Sequence, residues 1–339
     1  MNSLFDKINK LNEVVSLSKQ EKIIQGILDA ITDKILEVGS KLPSVIQMAR
    51  QIGCANKTVA DAYNELKKRG IIESKSTKGY YVISSEINVK LKVALIIYAF
   101  NSFQVEFYNT FRKHLGEKYQ IDIFFHHNNL SLFQTIINNI SGKYGFYVIA
   151  PIQNEKVLEI INHIPFELVL LVNRLLKASK EYSYVAQEFE YTTYLKLCDL
   201  LPAILKFDQI ILFFTQELDY PIGVLKAFKS FVKDYNIKSK VLGSYSKKDL
   251  LKNTVYFFVG DAYYWELLRD IKHSDYIIGQ DIGILTHNDS IAKEILYNGI
   301  TAISTDFIEM GKKAADVIKF KKRNVYEIIP SKIIRRGSL

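Results

Sequence analysis

LPSVIQMARQIGCANKTVADAYNELKKRGIIESKSTKGYYV, residues 42–82, carries its punctuation in an order that few folds use. Gly39 breaks the chain, Pro43 restarts it, and Ser44 with Gln47 has the capping-box spacing that opens a helix over Val45–Gln51. Gly53 supplies a tight turn. The next helix gathers Val59, Ala62, Tyr63 and Leu66 on one face and ends at Gly70. Ile71–Ser74 and Tyr80–Ile83 then read as two short strands around a Lys75–Gly79 tip. Upstream, Ser18 and Glu21 form another capping box, and Ile23, Ile27, Ile31 and Ile35 make one apolar helical face. Three helices, a sharp turn between the second and third, and a basic hairpin describe a winged helix-turn-helix.

Such a module presents the amino end of its last helix to the major groove of DNA. Asn56, Lys57 and Thr58 hold that end, Asp61 its outward face, and Ser44 the start of the preceding helix. An asparagine suits an adenine edge, and the lysine and threonine suit phosphates or bases. On the hairpin, Lys75, Lys78, Gly79 and Tyr80 can lie along the sugar-phosphate backbone. Asn56 is also placed to cap its own helix, and Lys67, Lys68 and Arg69 suit a solvated helix end favoured by the dipole. The segment resembles the DNA-binding domain of the GntR family: Leu42-Pro43-Ser44, Thr58-Val59, and Leu66 through Gly70-Ile71-Ile72 follow that family's pattern. Ile46 and Asn56 stand where members commonly carry arginine, which removes the usual bidentate guanine readers.

The texture changes near residues 84–90. Beyond it, short Ile/Val/Leu/Phe runs alternate with helical stretches, the signature of βαβ units and a mostly parallel sheet. This predicts a winged helix-turn-helix domain over residues 1–84, a linker over 85–90 and a two-lobed α/β body over 91–339. Strands are expected at Lys92–Tyr98, Ile121–Phe125, Phe146–Ala150, Leu168–Leu171, Gln209–Phe213, Lys240–Leu242, Val255–Val259, Tyr276–Gly279 and Thr301–Ile303. Ligands of open α/β sheets sit beyond the carboxyl ends of the strands. Residues there include Phe103, Phe107, Arg174, Glu188, Asp261, Asp281 and Asp306. Aromatic faces stack on a sugar ring while carboxylates and an arginine bond its hydroxyls, so a monosaccharide is the expected ligand. Each has a plainer use: Arg174 in a surface ion pair, Asp281 as a turn cap, Phe103, Phe107 and Trp265 in a core or dimer seam. VLLVNRLL, IIGQDIGI, ITAISTDFIEMGKKAADVI and IPSKIIRRGS resemble segments of the periplasmic-binding-protein-like effector domain of LacI-type regulators. That resemblance implies Arg174 and Asp281 as ligand residues and a protein similar to bacterial arabinose- or fucose-responsive sugar repressors.

Composition limits the alternatives. The 339 residues carry 45 basic and 36 acidic side chains; thirteen and ten of these lie in the first 88 residues, so basicity is spread rather than gathered in a tail. A net +9 favours polyanionic partners without naming one. The apolar runs fall far short of the roughly 20 residues that span a bilayer. The opening MNSLFDKINKLNEVV lacks a secretory apolar core, and Cys54 and Cys198 match neither a zinc pattern nor a disulfide framework, so a cytoplasmic protein without membrane contact is expected. No HExxH, GxSxG, P-loop or dinucleotide motif occurs, and His126-His127 point to opposite faces of a strand end. Neither a catalytic constellation, a metal nor a cofactor is expected. The leading expectation is a dimeric, sugar-responsive repressor bound to double-stranded operator DNA. An α/β enzyme tethered to DNA, or a sugar sensor whose winged helix contacts protein, are the alternatives.

Overall fold

The computed structural model describes residues 2–11, 17–75, 78–85, 91–176, 181–215, 218 and 220–339. Its amino-terminal module contains α1 (Asn2–Lys10), α2 (Lys19–Thr32), α3 (Val45–Ile52), α4 (Asn56–Lys68) and the antiparallel hairpin β1 (Ile72–Lys75) and β2 (Gly79–Val82). Both halves of the Ser18–Glu21 capping box form at the start of α2. The Ser44 hydroxyl accepts the Gln47 N–H at the start of α3. Gly53 ends α3 at φ 69°, a left-handed conformation that glycine adopts without the strain a Cβ brings. That residue makes the turn into α4. Val59, Ala62, Tyr63 and Leu66 are fully buried against Ile23 and Ile27 of α2. Leu4 and Ile8 of α1, a helix with no strong punctuation in the sequence, complete this core. Ile35 falls outside the expected face: α2 stops at Thr32, Lys34 turns left-handed (φ 58°), and the Ile35 N–H bonds back to Ala30 O. The hairpin residues 76–77 and the linker residues 86–90 lie outside the described residues.

The remainder forms two α/β lobes. The first runs through β3 (Leu91–Ile97), α5 (Ser102–Leu115), β4 (Tyr119–Phe125), α6 (Leu130–Ile140), β5 (Phe146–Ile149), α7 (Lys156–Ile161), β6 (Val169–Asn173) and β7 (Ser183–Ala186). The second contains α8 (Glu190–Ile204), β8 (Gln209–Phe213), α9 (Ile222–Asp234), β9 (Ser239–Leu242), β10 (Thr254–Phe258), α10 (Asp261–Ile271), β11 (Ile282–His287), α11 (Ile291–Ile295) and β12 (Thr301–Thr305). The chain then returns: α12 (Phe307–Lys319) and β13 (Tyr326–Ile328) belong to the first lobe and β14 (Ser331–Ile334) to the second. The sheets have orders β13-β7-β6-β5-β3-β4 and β14-β12-β11-β10-β8-β9, parallel throughout except for β14 against β12.

Strands buried on both faces explain the apolar runs in the sequence. Along β3, Val93, Leu95 and Ile97 enter one core while Ala94 and Ile96 enter the other. Along β10, Val255 and Phe257 face one way and Tyr256 and Phe258 the other. Helix α12 closes on α5 through Phe307 and Phe103, whose rings lie 4.7 Å apart, and through His114 Nε2 and Asp316 Oδ1 at 2.9 Å.

One strand is displaced from its expected place. Tyr276–Gly279 is a loop, with Gly279 at φ 86°, and β11 begins only at Ile282. Two apolar runs, YIIG and IGIL, compete in that stretch, and the second pairs with β10 in register from Thr254↔Ile282 to Phe258↔Thr286. The short strands β7 and β13 add to the expected set; each has only three or four residues and no long alternation.

Candidate functional site

On the amino-terminal module, the exposed amino end of α4 begins with Asn56 and Lys57, with Thr58 half-buried behind them. Ala55 is the N-cap residue and makes no side-chain cap bond, so Asn56 is the first helical residue and its amide is not spent on capping. Ser44 is exposed, but its hydroxyl serves the Gln47 N–H. Ile46, on the first turn of α3, stands 66% exposed. On the hairpin, Lys78 is exposed, and Lys75 lies 3.0 Å from Glu73 with its ammonium 5.0 Å from the Tyr81 ring centre. Gly79 turns at φ 101°. Tyr80 does not stand out from the hairpin: its ring packs edge-on to Tyr63 at 4.7 Å, in the module's own core. Lys41, exposed and bridged to Tyr81 beside the hairpin, is a cation that the sequence reading omitted.

Between the lobes lies a cleft of about 250 Å³, at the carboxyl ends of the strands of both sheets. From the first lobe it is lined by Tyr98 after β3, Phe103 and Gln104 of α5, and Asn173 and Arg174 at the end of β6. The second lobe contributes Tyr220, Asp261 at the start of α10, and His287, Asn288 and Asp289 at the end of β11. Gly260 lets the second lobe close on itself here, because a Cβ would lie 2.3 Å from the Tyr220 hydroxyl. Lys293 of α11 is buried, donates to Asn288 O at 2.9 Å and sits 2.8 Å from Asp261 Oδ1. The two carboxylate oxygens of Asp289 accept from the two terminal guanidinium nitrogens of Arg336, at 2.7 and 2.8 Å. Phe189 stacks on His287 at 5.9 Å and lies 6.0 Å from the Arg174 guanidinium carbon. The cleft thus offers amides, two aspartates and two cations among aromatic faces.

Of the expected ligand residues, Phe103, Arg174 and Asp261 line this cleft. The other four do not. Phe107 is buried in the core of the first lobe and stacks on Phe111. Glu188 caps α8, accepting the N–H groups of Glu190, Tyr191 and Thr192. Burial pushes its carboxyl up, but those N–H donors hold it below the usual range. Asp306 caps α12 through the Glu309 N–H. Asp281 sits at the amino end of β11, the opposite edge of the sheet, bonded to the Ile277 N–H and to Lys252. Because β11 starts six residues later than expected, its carboxyl end carries His287-Asn288-Asp289 instead. Strand-to-helix junctions favour acids for capping as well as for ligands, which is why sequence alone did not separate Glu188 and Asp306 from Asp261. Residues 216, 217 and 219, which follow β8 towards the cleft, lie outside the described residues. Among the described residues, no group of three His, Cys, Asp or Glu side chains could hold a metal, and no helix is long and apolar enough to cross a membrane.

His287 gives the cleft a pH signature. Burial first, then Lys293 and Arg174, push its imidazole down to about 3. Below about pH 6.5 the unfolded chain takes up a proton that the folded chain refuses, so this contribution to stability is complete above that pH and fades as pH falls towards 3. The slope is about 1.4 kcal/mol per pH unit, or about 2 kcal/mol between pH 6.5 and pH 5. His287→Phe keeps a ring against Phe189 and should flatten that part of the profile in urea unfolding. An unchanged slope would show that His287 takes up a proton while the chain is folded.

Residues 19–82 match the family model of bacterial regulatory proteins, gntR family. The HTH-type transcriptional repressor YtrA of Bacillus subtilis is 40% identical over 62 residues, 18% of this chain and 48% of that protein. The chain spans about half the length of the curated relatives it matches. The body is similar in fold to a periplasmic binding protein/LacI transcriptional regulator from Alkaliphilus metalliredigens complexed with D-xylulofuranose (TM-score 0.60, 14% identity, 73% of this chain and 98% of that one). It is also similar to the lac repressor dimer bound to operator and the anti-inducer ONPF (TM-score 0.60, 14% identity, 74% and 94%).

Proposed function

Starting from an amino-terminal module of the gntR family of bacterial regulatory proteins and a body with the LacI-type fold, we propose that this transcriptional regulator is a cytoplasmic repressor that binds operator DNA as a homodimer. Its operator affinity changes when a monosaccharide enters the cleft. The working division is a DNA-reading domain over 1–84, a linker over 85–90 and an effector and dimerisation domain over 91–339. The observation that carries the reading is the cleft itself: aromatic faces of Tyr98, Phe103, Phe189 and Tyr220 surround Asn173, Arg174, Asp261 and Asp289. Stacking surfaces with convergent charged and amide groups suit an uncharged polyol. A transcriptional regulator has no need of a catalytic group, and in the cleft Asp261 and Lys293 pair with each other, Asp289 pairs with Arg336, and burial keeps His287 a neutral imidazole.

Two-fold assembly agrees with the surface of the second lobe. Lys293 holds α11 beside α10, and Ile291, Ile295 and Tyr297 stand more than half exposed there. A half-site reader gains register and affinity by pairing.

The test has two arms. In the first, Lys57→Ala and Lys78→Ala each weaken operator binding across sequences and reduce its salt slope by about one phosphate contact. Asn56→Ala relaxes preference at one base pair. In the second, thermal unfolding is followed with D-ribose, D-xylose, L-arabinose, L-fucose or D-galactose. A bound sugar at 100 times its dissociation constant adds about 2.7 kcal/mol. Arg174→Ala should abolish that gain, whereas Asp281→Ala, on the far edge of the sheet, should leave it intact. Loss of the gain in Asp281→Ala alone would sink the placement of the effector in this cleft.

A further inference from the structure

Three stretches of chain cross between the lobes: residues 187–189 after β7, Asp306 between β12 and α12, and Ile329–Pro330 between β13 and β14. One buried polar side chain stands at each crossing, Gln187, Thr305 and Ser331. They are bonded to one another. Thr305 Oγ1 donates to Gln187 Oε1 at 2.6 Å and lies 2.8 Å from Ser331 Oγ. With the threonine proton committed to Gln187, the serine is the donor in that second bond. Gln187 Nε2 in turn donates to Asn173 Oδ1 at 2.5 Å, and the Gln187 backbone N–H donates to Asn173 O at 3.1 Å. Asn173 is itself held in the left-handed region, at φ 68°.

The chain of bonds has two ends of different kind. Asn173 and Gln187 line the cleft, whereas Thr305 and Ser331 lie behind it and are not among the lining residues. Gln187 follows a strand of the first lobe, while Thr305 and Ser331 face each other across the β12–β14 pair of the second. The Gln187–Thr305 bond therefore spans the axis about which the lobes would turn. Hydrogen bonds weaken steeply once donor and acceptor lose alignment. Buried polar groups left without partners are costly, so a rotation that broke this bond would be opposed. A ligand group that takes either amide at the cleft end competes for the same bonds.

We propose that Gln187, Thr305 and Ser331 form a hydrogen-bonded clasp across the three crossings that sets the equilibrium between lobe arrangements, and that Asn173 couples the clasp to the cleft. Thr305 and Ser331 are thus positioning residues: they touch no ligand and act through Gln187 and Asn173. The idea deepens the effector-cleft reading, but its test needs no effector, so the two can fail separately.

The test uses the full-length chain with Cys54→Ser and Cys198→Ser, and spin labels at Glu155→Cys in the first lobe and Ile222→Cys in the second, both exposed positions. Electron–electron double resonance reads the distance distribution between the lobes without added sugar. The background chain should give one narrow population. Thr305→Val, which keeps the shape and removes the hydroxyl, should add a second population or displace the first, and Thr305→Ser should restore the original distribution. Ser331→Ala, which removes only the outer link, should produce a smaller change in the same direction. If Thr305→Val does not unfold cooperatively, Ser331→Ala decides alone. A folded variant with a lower melting temperature and an unaltered distribution would overturn the proposal, because these side chains would then be structural only.

Discussion

Tyr63→Ala lowers the stability of the DNA-reading module by about 3–5 kcal/mol, the usual cost of truncating a large buried aromatic side chain. Tyr63 is fully buried, donates its hydroxyl to Pro43 O at 2.8 Å, and meets Tyr80 edge-on at 4.7 Å. One side chain of α4 thus ties down both the entry to α3 and the hairpin. Its loss leaves a cavity and an unpaired carbonyl at the point where the three parts meet. A module of this size holds roughly 4–12 kcal/mol in all, at about 0.05–0.15 kcal/mol per residue. Calorimetry should show the module melting well before the α/β body, and operator binding should vanish at temperatures where the body is intact. Unchanged melting and unchanged operator affinity would remove Tyr63 from that role.

The second large effect lies in the cleft. Asp261→Ala leaves the Lys293 ammonium, whose side chain is only 2% exposed, with Asn288 O and the face of Tyr264 but no carboxylate. Asp261 itself is 42% exposed, so its removal costs less than the roughly 3–5 kcal/mol of breaking a fully buried pair, while replacing both partners by apolar groups is often neutral. The double variant Asp261→Ala with Lys293→Met should therefore recover most of what the single change loses. Urea unfolding of the full chain measures both. Equal destabilisation of the single and double variants would show that the stranded charge is not the cause.

The sequence showed the DNA-reading module almost in full because its signals are local. Ser18, Ser44, Gly53 and Gly70 each act on residues within a few positions, and the structure places all four at helix ends or turns. The two lobes were visible as a class, since strands buried on both faces leave uninterrupted apolar runs. The cleft was only half visible. Arg174 and Asp261 follow strands of clear register, but Asp289 depended on choosing IGIL over YIIG, a choice settled by pairing with β10, more than twenty residues away. Gln187, Thr305 and Ser331 carry no local signal, being joined by bonds across 118 and 26 residues of chain.

The three crossings also govern the order in which the protein can be made. The module's core draws on residues from Leu4 to Val82 and can form as soon as they leave the ribosome. Neither lobe has that freedom. The first lacks α12 and β13 until residue 328 has emerged, so Phe107 and Phe111 must wait for Phe307 and Met310 to cover them. The second lacks β14 for a few residues longer. During synthesis a finished amino-terminal module therefore hangs from an unfinished α/β body. A message cut short before residue 307 would yield a folded amino-terminal module attached to a body that cannot close its core.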